Sequence, residues 1–163
     1  MKTIGSTIIM LALASSLFAD NGKELKLASP DGTHEIVFYQ KQVSPAVNEL
    51  CYRVDYKSQP VVNESRAGLE LDNRIWEMAL GVRNLKQPAC WMDNLEVDSV
   101  TYQLETNLTW QPLYGERSSV RDHYRTGTLY LSKKDNSGYR LNIEVRAYNE
   151  GVAFRYFFPE HPK

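Results

Sequence analysis

The densest group of chemically capable side chains lies between residues 110 and 124. The candidates for contact with a substrate or with a second domain are Trp110, Tyr114, Glu116, Arg121, His123 and Tyr124. Aromatic rings beside carboxylates and planar polar groups suit carbohydrate, because the C–H face of a sugar packs on a ring and its hydroxyls take hydrogen bonds. The alternative is a loop packed on a sheet, with Arg121 and Asp122 as structural partners, and the residue types alone favour that alternative.

Hydrolytic chemistry has weaker support in the sequence. Glycoside hydrolysis uses two carboxylates about 5–9 Å apart across a cleft, and the positions of Glu116 and Asp122 in the sequence do not establish such a pair. The three histidines are His34, His123 and His161. No local Ser-His-Asp arrangement, phosphate-binding loop or His-Glu-x-x-His motif accompanies them. A self-contained hydrolase is therefore the weakest hypothesis.

Two cysteines, Cys51 and Cys90, leave two interpretations open. In an oxidising compartment they can form one disulfide. They can equally be two separate buried thiols, since sequence does not show whether their Cα atoms approach to bridging distance. Without an accompanying cluster of Cys and His, they do not indicate a zinc site.

The N-terminal segment has the features of a secretory signal peptide. Lys2 precedes an apolar run, and Ala19 ends a segment of small residues suited to cleavage. We therefore expect residues 1–19 to be removed, and the mature domain, residues 20–163, to be exported. Small polar residues interrupt the apolar run, so we expect no membrane span. The formal net charge of −1 lacks the basic excess of a nucleic-acid-binding protein.

The remaining chain shows the alternation typical of half-buried β-strands. Strands are predicted at 25–27, 35–39, 52–56, 67–71, 100–104, 108–110, 120–124, 128–131, 139–148 and 152–158. Asp31-Gly32 is a strong signal for a hairpin turn. Because no long amphipathic helix separates the strands, the pattern predicts an all-β antiparallel sandwich.

One segment departs from this pattern and has two interpretations. Apolar side chains recur at helical spacing within residues 73–82, at Ile75, Met78, Ala79 and Val82. This spacing predicts a short helix, although Gly81 disfavours it by about 1 kcal/mol relative to Ala. The alternative is an irregular insertion packed by Trp76 and Trp91.

Taken in order, several motifs resemble the N-terminal domain of family-97 glycoside hydrolases. They are Ser-Pro-Asp-Gly at 29–32, Gly-Leu-Glu-Leu at 68–71, Trp-Gln-Pro-Leu-Tyr-Gly-Glu at 110–116, Arg-Asp-His-Tyr at 121–124 and the long run at 140–156. Members of this family are exported bacterial enzymes that cleave α-glucosidic or α-galactosidic bonds. The resemblance covers most of the mature chain and is interrupted between residues 72 and 95.

The resemblance implies a supersandwich-like N-terminal β-domain, a central (β/α)₈ barrel that carries catalysis, and a small C-terminal β-domain. A barrel alone takes about 250 residues, so we expect it to lie outside this chain. The family's calcium ion is held mostly by barrel carboxylates, with one N-domain glutamate expected beyond Phe157. We therefore assign no catalytic residue, no metal ligand and no cofactor to residues 20–163.

The function implied is that of a non-catalytic domain, inactive alone, that packs against the catalytic barrel and helps to shape its sugar pocket. Residues 110–124 are the part expected to face the barrel or the carbohydrate. A free-standing exported β-sandwich that binds carbohydrate or another protein is the alternative. The sandwich is expected to be incomplete, which would leave the strand at 152–158 as an exposed edge.

Overall fold

The protein is a β-sandwich of two four-stranded antiparallel sheets. The structure, a computed structural model, describes residues 23–45, 47–81, 90–134 and 138–159. The first sheet consists of β1 (Glu24–Ala28), β2 (His34–Ser44), β3 (Val47–Tyr56) and β4 (Gln59–Arg66). The second consists of β5 (Leu95–Trp110), β6 (Val120–Lys133), β7 (Arg140–Tyr148) and β8 (Gly151–Phe157). Within each sheet the strands lie in sequence order, and the predicted all-β sandwich is confirmed.

Alternation of apolar and polar residues determines which face of each strand is buried. In β7, every second residue from Leu141 to Ala147 is fully buried, whereas the residues between them are partly or fully exposed. Successive side chains of a strand point to opposite faces of the sheet. The buried set therefore faces the first sheet, and Asn142, Glu144 and Arg146 form part of an outer surface.

The apolar faces of the two sheets form one continuous core. Phe38 of β2 packs edge-on against Phe154 of β8, with ring centroids 5.3 Å apart. Where β1 crosses β6, a Cβ built on Gly127 would lie 3.1 Å from Cδ1 of Leu25. The absence of a side chain at Gly127 thus lets β1 approach the second sheet closely. Fully burying each large apolar side chain in this interface contributes about 1.5–3 kcal/mol.

The turn between β1 and β2 is stabilised by the Asp31 carboxylate. Oδ1 of Asp31 accepts hydrogen bonds from the Ser29 hydroxyl at 2.6 Å and from the Thr33 backbone N–H at 2.9 Å. These donors favour the charged form and lower the pKa of Asp31 to about 2. The Asp31 backbone N–H donates to the side chain of Asn149, 3.0 Å away, which links this turn to the second sheet.

The connection between the sheets contains a helix, which is one of the two interpretations that the sequence left open. Helix α1 spans Asn73–Leu80, so the helical interpretation is confirmed for that range; Val82 lies outside the described residues. The predicted strand at 67–71 is wrong, because, after the bond from the Ala67 N–H to the Leu50 carbonyl that continues the β3–β4 pairing, the segment has only an isolated bridge between Glu70 and Cys90. A Cβ at Gly68 would meet the backbone oxygen of Trp91 at 2.5 Å. The segment is therefore packed against the chain before β5 rather than paired in a sheet.

The second sheet also differs from expectation in the length of its strands. The two short strands predicted at 100–104 and 108–110 are one strand, β5, with register shifts between Val97 and Ser99 and between Gln103 and Thr106. The strands predicted at 120–124 and 128–131 are likewise one strand, β6. β8 lies at an edge of the second sheet, as predicted for residues 152–158.

The structure contains two free thiols rather than the possible disulfide. Cys51 is buried and Cys90 is exposed, and neither is bonded to the other. The interpretation as two separate buried thiols is therefore right for Cys51 and wrong for Cys90. Burial raises the pKa of the Cys51 thiol, with a further contribution from the carboxylates of Glu64 and Glu49.

Candidate functional site

The candidate site lies on a hairpin that we call the β5–β6 arm, residues 103–124. It comprises the last part of β5, the loop 111–119 and the first part of β6, and its register runs from Thr106 opposite Tyr124 to Trp110 opposite Val120. No residue of the arm is buried. The arm therefore differs from the rest of the same two strands, which contribute Leu95, Val97, Leu129 and Leu131 to the core.

Strand alternation divides the predicted site residues between the two faces of the arm. Tyr124 lies on the outer face of the second sheet, in line with Thr126 and Thr128, and alternates with the buried Gly127 and Leu129. Neighbouring residues of a strand face opposite ways. His123 and Arg121 consequently lie on the other face, so residues 121–124 do not form a single cluster as their closeness in sequence suggested.

The inner face of the arm carries a polar network around Glu105. Oε1 of Glu105 lies 2.6 Å from Nε2 of His123, and Oε2 accepts a hydrogen bond from Nε of Arg125 at 3.0 Å. These two partners lower the pKa of Glu105. Arg121 donates to the Asn107 side chain at 3.0 Å. The expected pairing of Arg121 with Asp122 is therefore replaced by a cross-strand bond.

His123 has an unusual environment within this network. Its side chain is 16% exposed, and its Nδ1 is buried without a hydrogen-bond partner among the described residues. Buried ring nitrogens normally have a partner. Of the predicted site residues, His123 is thus the one whose hydrogen bonding is left incomplete by the residues that the structure describes.

Several apolar side chains of the arm are exposed, both on its strands and at its tip. Trp110 is 53% exposed and Tyr114 is 90% exposed, while Leu104 and Leu113 reach 93% and 100%. Glu116 lies exposed in the same loop. Scattered apolar residues are normal on a surface, but several on one hairpin indicate a contact surface.

Tyr124 connects the arm to a groove on the outer face of the second sheet. The groove encloses about 430 Å³ and is lined by residues of all four strands, among them Gln103, Tyr124, Thr126, Glu144, Arg146 and Tyr148. The rings of Tyr124 and Tyr148 are 5.1 Å apart, and the Arg146 guanidinium lies 4.5 Å above the Tyr124 ring. Sequence reasoning missed Arg146 and Tyr148, which only the cross-strand register brings beside Tyr124.

The described residues contain no group of three or more His, Cys, Asp or Glu side chains that could hold a metal ion. Their single helix is too short to cross a lipid bilayer. The predicted signal peptide, residues 1–19, and His161 both lie outside the described residues.

The sequence of this sandwich matches a known class of enzyme domain. The family model described as "Glycosyl-hydrolase 97 N-terminal" matches residues 27–163. The chain therefore belongs to the family of N-terminal domains of family-97 glycoside hydrolases, as the sequence motifs indicated.

Individual relatives are much longer than this chain. A retaining alpha-galactosidase of Bacteroides thetaiotaomicron is 26% identical over 150 residues, which are 92% of this chain and 19% of the relative. A family-97 enzyme of Pseudoalteromonas sp. strain K8, solved in complexes with panose and with acarbose, is 27% identical with a TM-score of 0.67. That match covers 84% of this chain and 18% of the enzyme. A beta-arabinopyranosidase, at 18% identity and a TM-score of 0.63, shares the fold.

Proposed function

We propose that this chain is the non-catalytic N-terminal domain of an exported bacterial α-glycosidase and that its β5–β6 arm packs against the catalytic barrel beside the sugar pocket. The exposed apolar arm carries this proposal. The arm is part of a chain that spans only 18–19% of the length of its relatives. The catalytic residues and the ligands of the family's calcium ion would then lie in the remainder of the enzyme.

Two properties of the arm suit it to a domain interface. Its tip presents Leu113 and Tyr114, whose burial against another domain would remove apolar surface from water. Its inner face presents the network around Glu105, whose carboxylate is held by His123 and Arg125. An apolar contact bordered by polar groups with defined geometry is typical of specific protein interfaces.

Two relatives support a substrate class. One relative is described as a retaining alpha-galactosidase, and another was solved with panose and with acarbose. We propose an α-glucoside or α-galactoside as the substrate of the complete enzyme. In this proposal residues 1–19 are a signal peptide, residues 20–163 form the N-terminal domain, and the enzyme acts in the periplasm or outside the cell.

The test begins with the coding sequence downstream of the Lys163 codon. We expect a continuation that encodes a (β/α)₈ barrel. The polypeptide that it encodes would be expressed separately and mixed with this chain. The two polypeptides should associate, and the pair should hydrolyse p-nitrophenyl α-glucoside or α-galactoside while this chain alone does not.

Two variants, one on the arm and one control on the first sheet, test whether the interface lies on the arm. Trp110→Ala combined with Leu113→Ala should weaken association by about tenfold or more, equivalent to about 1.4 kcal/mol. Val61→Ala, which removes an exposed apolar group from β4 of the first sheet, should leave association unchanged. A downstream sequence without a barrel pattern, or equal effects of the two changes, would overturn the proposal.

A further inference from the structure

The outer face of β6, β7 and β8 carries an ordered set of polar and aromatic groups. The β6–β7 register places Tyr124 opposite Tyr148, Thr126 opposite Arg146, and Thr128 opposite Glu144. The next strand, β8, places Gly151, Ala153 and Arg155 opposite the three residues of β7. Side chains directly opposite one another in an antiparallel pair lie close together, so the face consists of three successive rows.

The groove exists because two of these rows end in very small residues. Gly151 stands opposite Tyr148 and Ala153 stands opposite Arg146, so these two large side chains have no equally large neighbour on β8. The third row is closed by an ion pair, with Nε of Arg155 2.6 Å from Oε2 of Glu144. The result is a recess with the side chains of Tyr148 and Arg146 along one side and the Arg155–Glu144 pair at one end.

Arg146 is held in place while its capacity for hydrogen bonding remains largely unused. Its guanidinium lies over the Tyr124 ring, and Nη1 makes a long contact of 3.4 Å with the Tyr148 hydroxyl. No carboxylate of the described residues forms an ion pair with it, in contrast to Arg155. A guanidinium has five N–H donors in a fixed planar arrangement. Arg146 can therefore donate several hydrogen bonds to a ligand in the groove without a large rearrangement.

The composition of the groove distinguishes between classes of ligand. A phosphate-bearing ligand would favour more than one unpaired cation, and Arg155 is already paired with Glu144. An apolar protein segment would favour aliphatic anchors, which lie on the β5–β6 arm and not in the rows of the groove. Tyrosine rings, hydroxyl groups and planar polar side chains suit a neutral sugar, whose hydroxyls accept and donate paired hydrogen bonds.

We infer that this groove is a carbohydrate-binding site for a neutral α-linked oligosaccharide. Its volume of about 430 Å³ falls in the range of about 300–1,000 Å³ typical of small-molecule sites. Tyr148 supplies a ring for the sugar face, and Arg146 and Gln103 supply hydrogen bonds. The choice of an α-linked sugar rests on the proposed function, whereas the location of the groove does not.

The test is a titration of the isolated chain with panose, and separately with melibiose, followed by NMR chemical-shift changes and calorimetry. We expect saturable binding of at least one sugar, with the shifted resonances on β6, β7 and β8. Tyr148→Ala and Arg146→Gln should each weaken binding by about tenfold or more, equivalent to about 1.4 kcal/mol. Circular dichroism would establish that each variant keeps its strand content.

Two further variants make the result specific to the groove. Ala153→Phe keeps every proposed hydrogen-bonding group but fills the recess, and it should abolish binding. Tyr56→Ala is the matched control, because Tyr56 is a partly exposed tyrosine beside the cationic Lys57 on the first sheet. It should leave the affinity unchanged.

Three results would overturn the inference. They are the absence of saturable binding by either sugar, full binding by Ala153→Phe, and an equal loss of affinity in Tyr56→Ala. If no sugar binds and Ala153→Phe instead weakens association with the catalytic polypeptide, the groove is a protein contact. The sugar titration does not contain the catalytic polypeptide. Sugar binding to the groove can therefore be absent while association through the arm is observed, or present while association is absent, so the two proposals fail independently.

Discussion

The two halves of β6 contrast sharply although they belong to one strand. In the half that the first sheet covers, Leu129 and Leu131 are completely buried. In the half that belongs to the β5–β6 arm no residue is buried, and across the hairpin Leu108 remains 63% exposed. The core-facing positions also differ in residue type, since the arm has Arg121 and His123 where the covered half has Leu129 and Leu131.

This contrast separates the stability of the domain from its expected interactions. The covered half belongs to a core that the two sheets complete by themselves. The arm carries apolar side chains that nothing in the described structure covers, at positions such as Leu104 and Leu113. Apolar surface of this kind contributes to the free energy only when a second surface buries it.

The largest expected effect is that of removing apolar volume from the covered half. Leu131→Ala should lower the free energy of unfolding by about 2–5 kcal/mol, because it leaves a cavity in the core. Leu113→Ala, the same change on the exposed arm, should stay within about 0.5 kcal/mol of the wild type. Urea denaturation of both variants measures this difference, and similar losses in the two would contradict the contrast.

A smaller loss is expected where β8 is joined to the segment before α1. The Tyr156 hydroxyl accepts a hydrogen bond from the Gly68 N–H at 2.8 Å and donates one to the Gly68 carbonyl at 3.1 Å. Tyr156→Phe removes both bonds and should cost about 1–3 kcal/mol. Tyr39→Phe removes only a solvent-exposed bond to Glu64 and should cost less than about 1 kcal/mol. Equal losses in the free energy of unfolding would mean that the two bonds to Gly68 stabilise the protein no more than the exposed bond to Glu64 does.

Acid should weaken the turn that links the first sheet to the second. The pKa of Asp31 is about 2 in the folded protein against 3.8 ordinarily, so the unfolded chain takes up this proton first as the pH falls. The stabilisation is complete above about pH 4 and is lost between about pH 4 and pH 2. Thermal unfolding across this range should show a smaller decrease for Asp31→Asn than for the wild type. Parallel curves for the two proteins would contradict the assignment.

The smallest effect on stability is expected at the arm itself. Leu104→Ser combined with Leu113→Ser should change the free energy of unfolding by less than about 0.5 kcal/mol, since both side chains are exposed. The same double variant should reduce concentration-dependent self-association of the isolated chain, measured by sedimentation velocity. If it instead destabilises the fold strongly, the arm belongs to the core and the contrast fails.

Local signals predicted the parts of the fold that depend on neighbouring residues. The Asp31 turn and the alternation of residues 140–148 were evident because each is a pattern within a few positions of the sequence. The segment at 67–71 alternates as well, yet Gly68 is packed against the backbone of Trp91, a contact across 23 positions that the pattern does not encode. The continuity of β5 was missed because its register shifts break the alternation.

The candidate site was predicted in part. The arm contains all six predicted residues, but period-two alternation places Tyr124 on the face opposite His123 and Arg121. The partners that define each face come from elsewhere, Glu105 from β5 and Tyr148 from β7. A hairpin register drawn across the loop 111–119, with Trp110 opposite Val120, continues without a shift to place Glu105 opposite Arg125 on the face of His123, so this partner could have been identified from the sequence.

The order of the strands has a consequence for how the chain reaches its folded state. Each of the eight strands that the structure describes pairs only with its neighbours in sequence, and none of them is inserted into the other sheet. Each sheet can therefore assemble from successive hairpins, which need little loop closure, before the two apolar faces meet. A chain divided between α1 and β5 should accordingly yield two fragments that recover the sandwich when mixed, with docking of the preformed sheets as the concentration-dependent step.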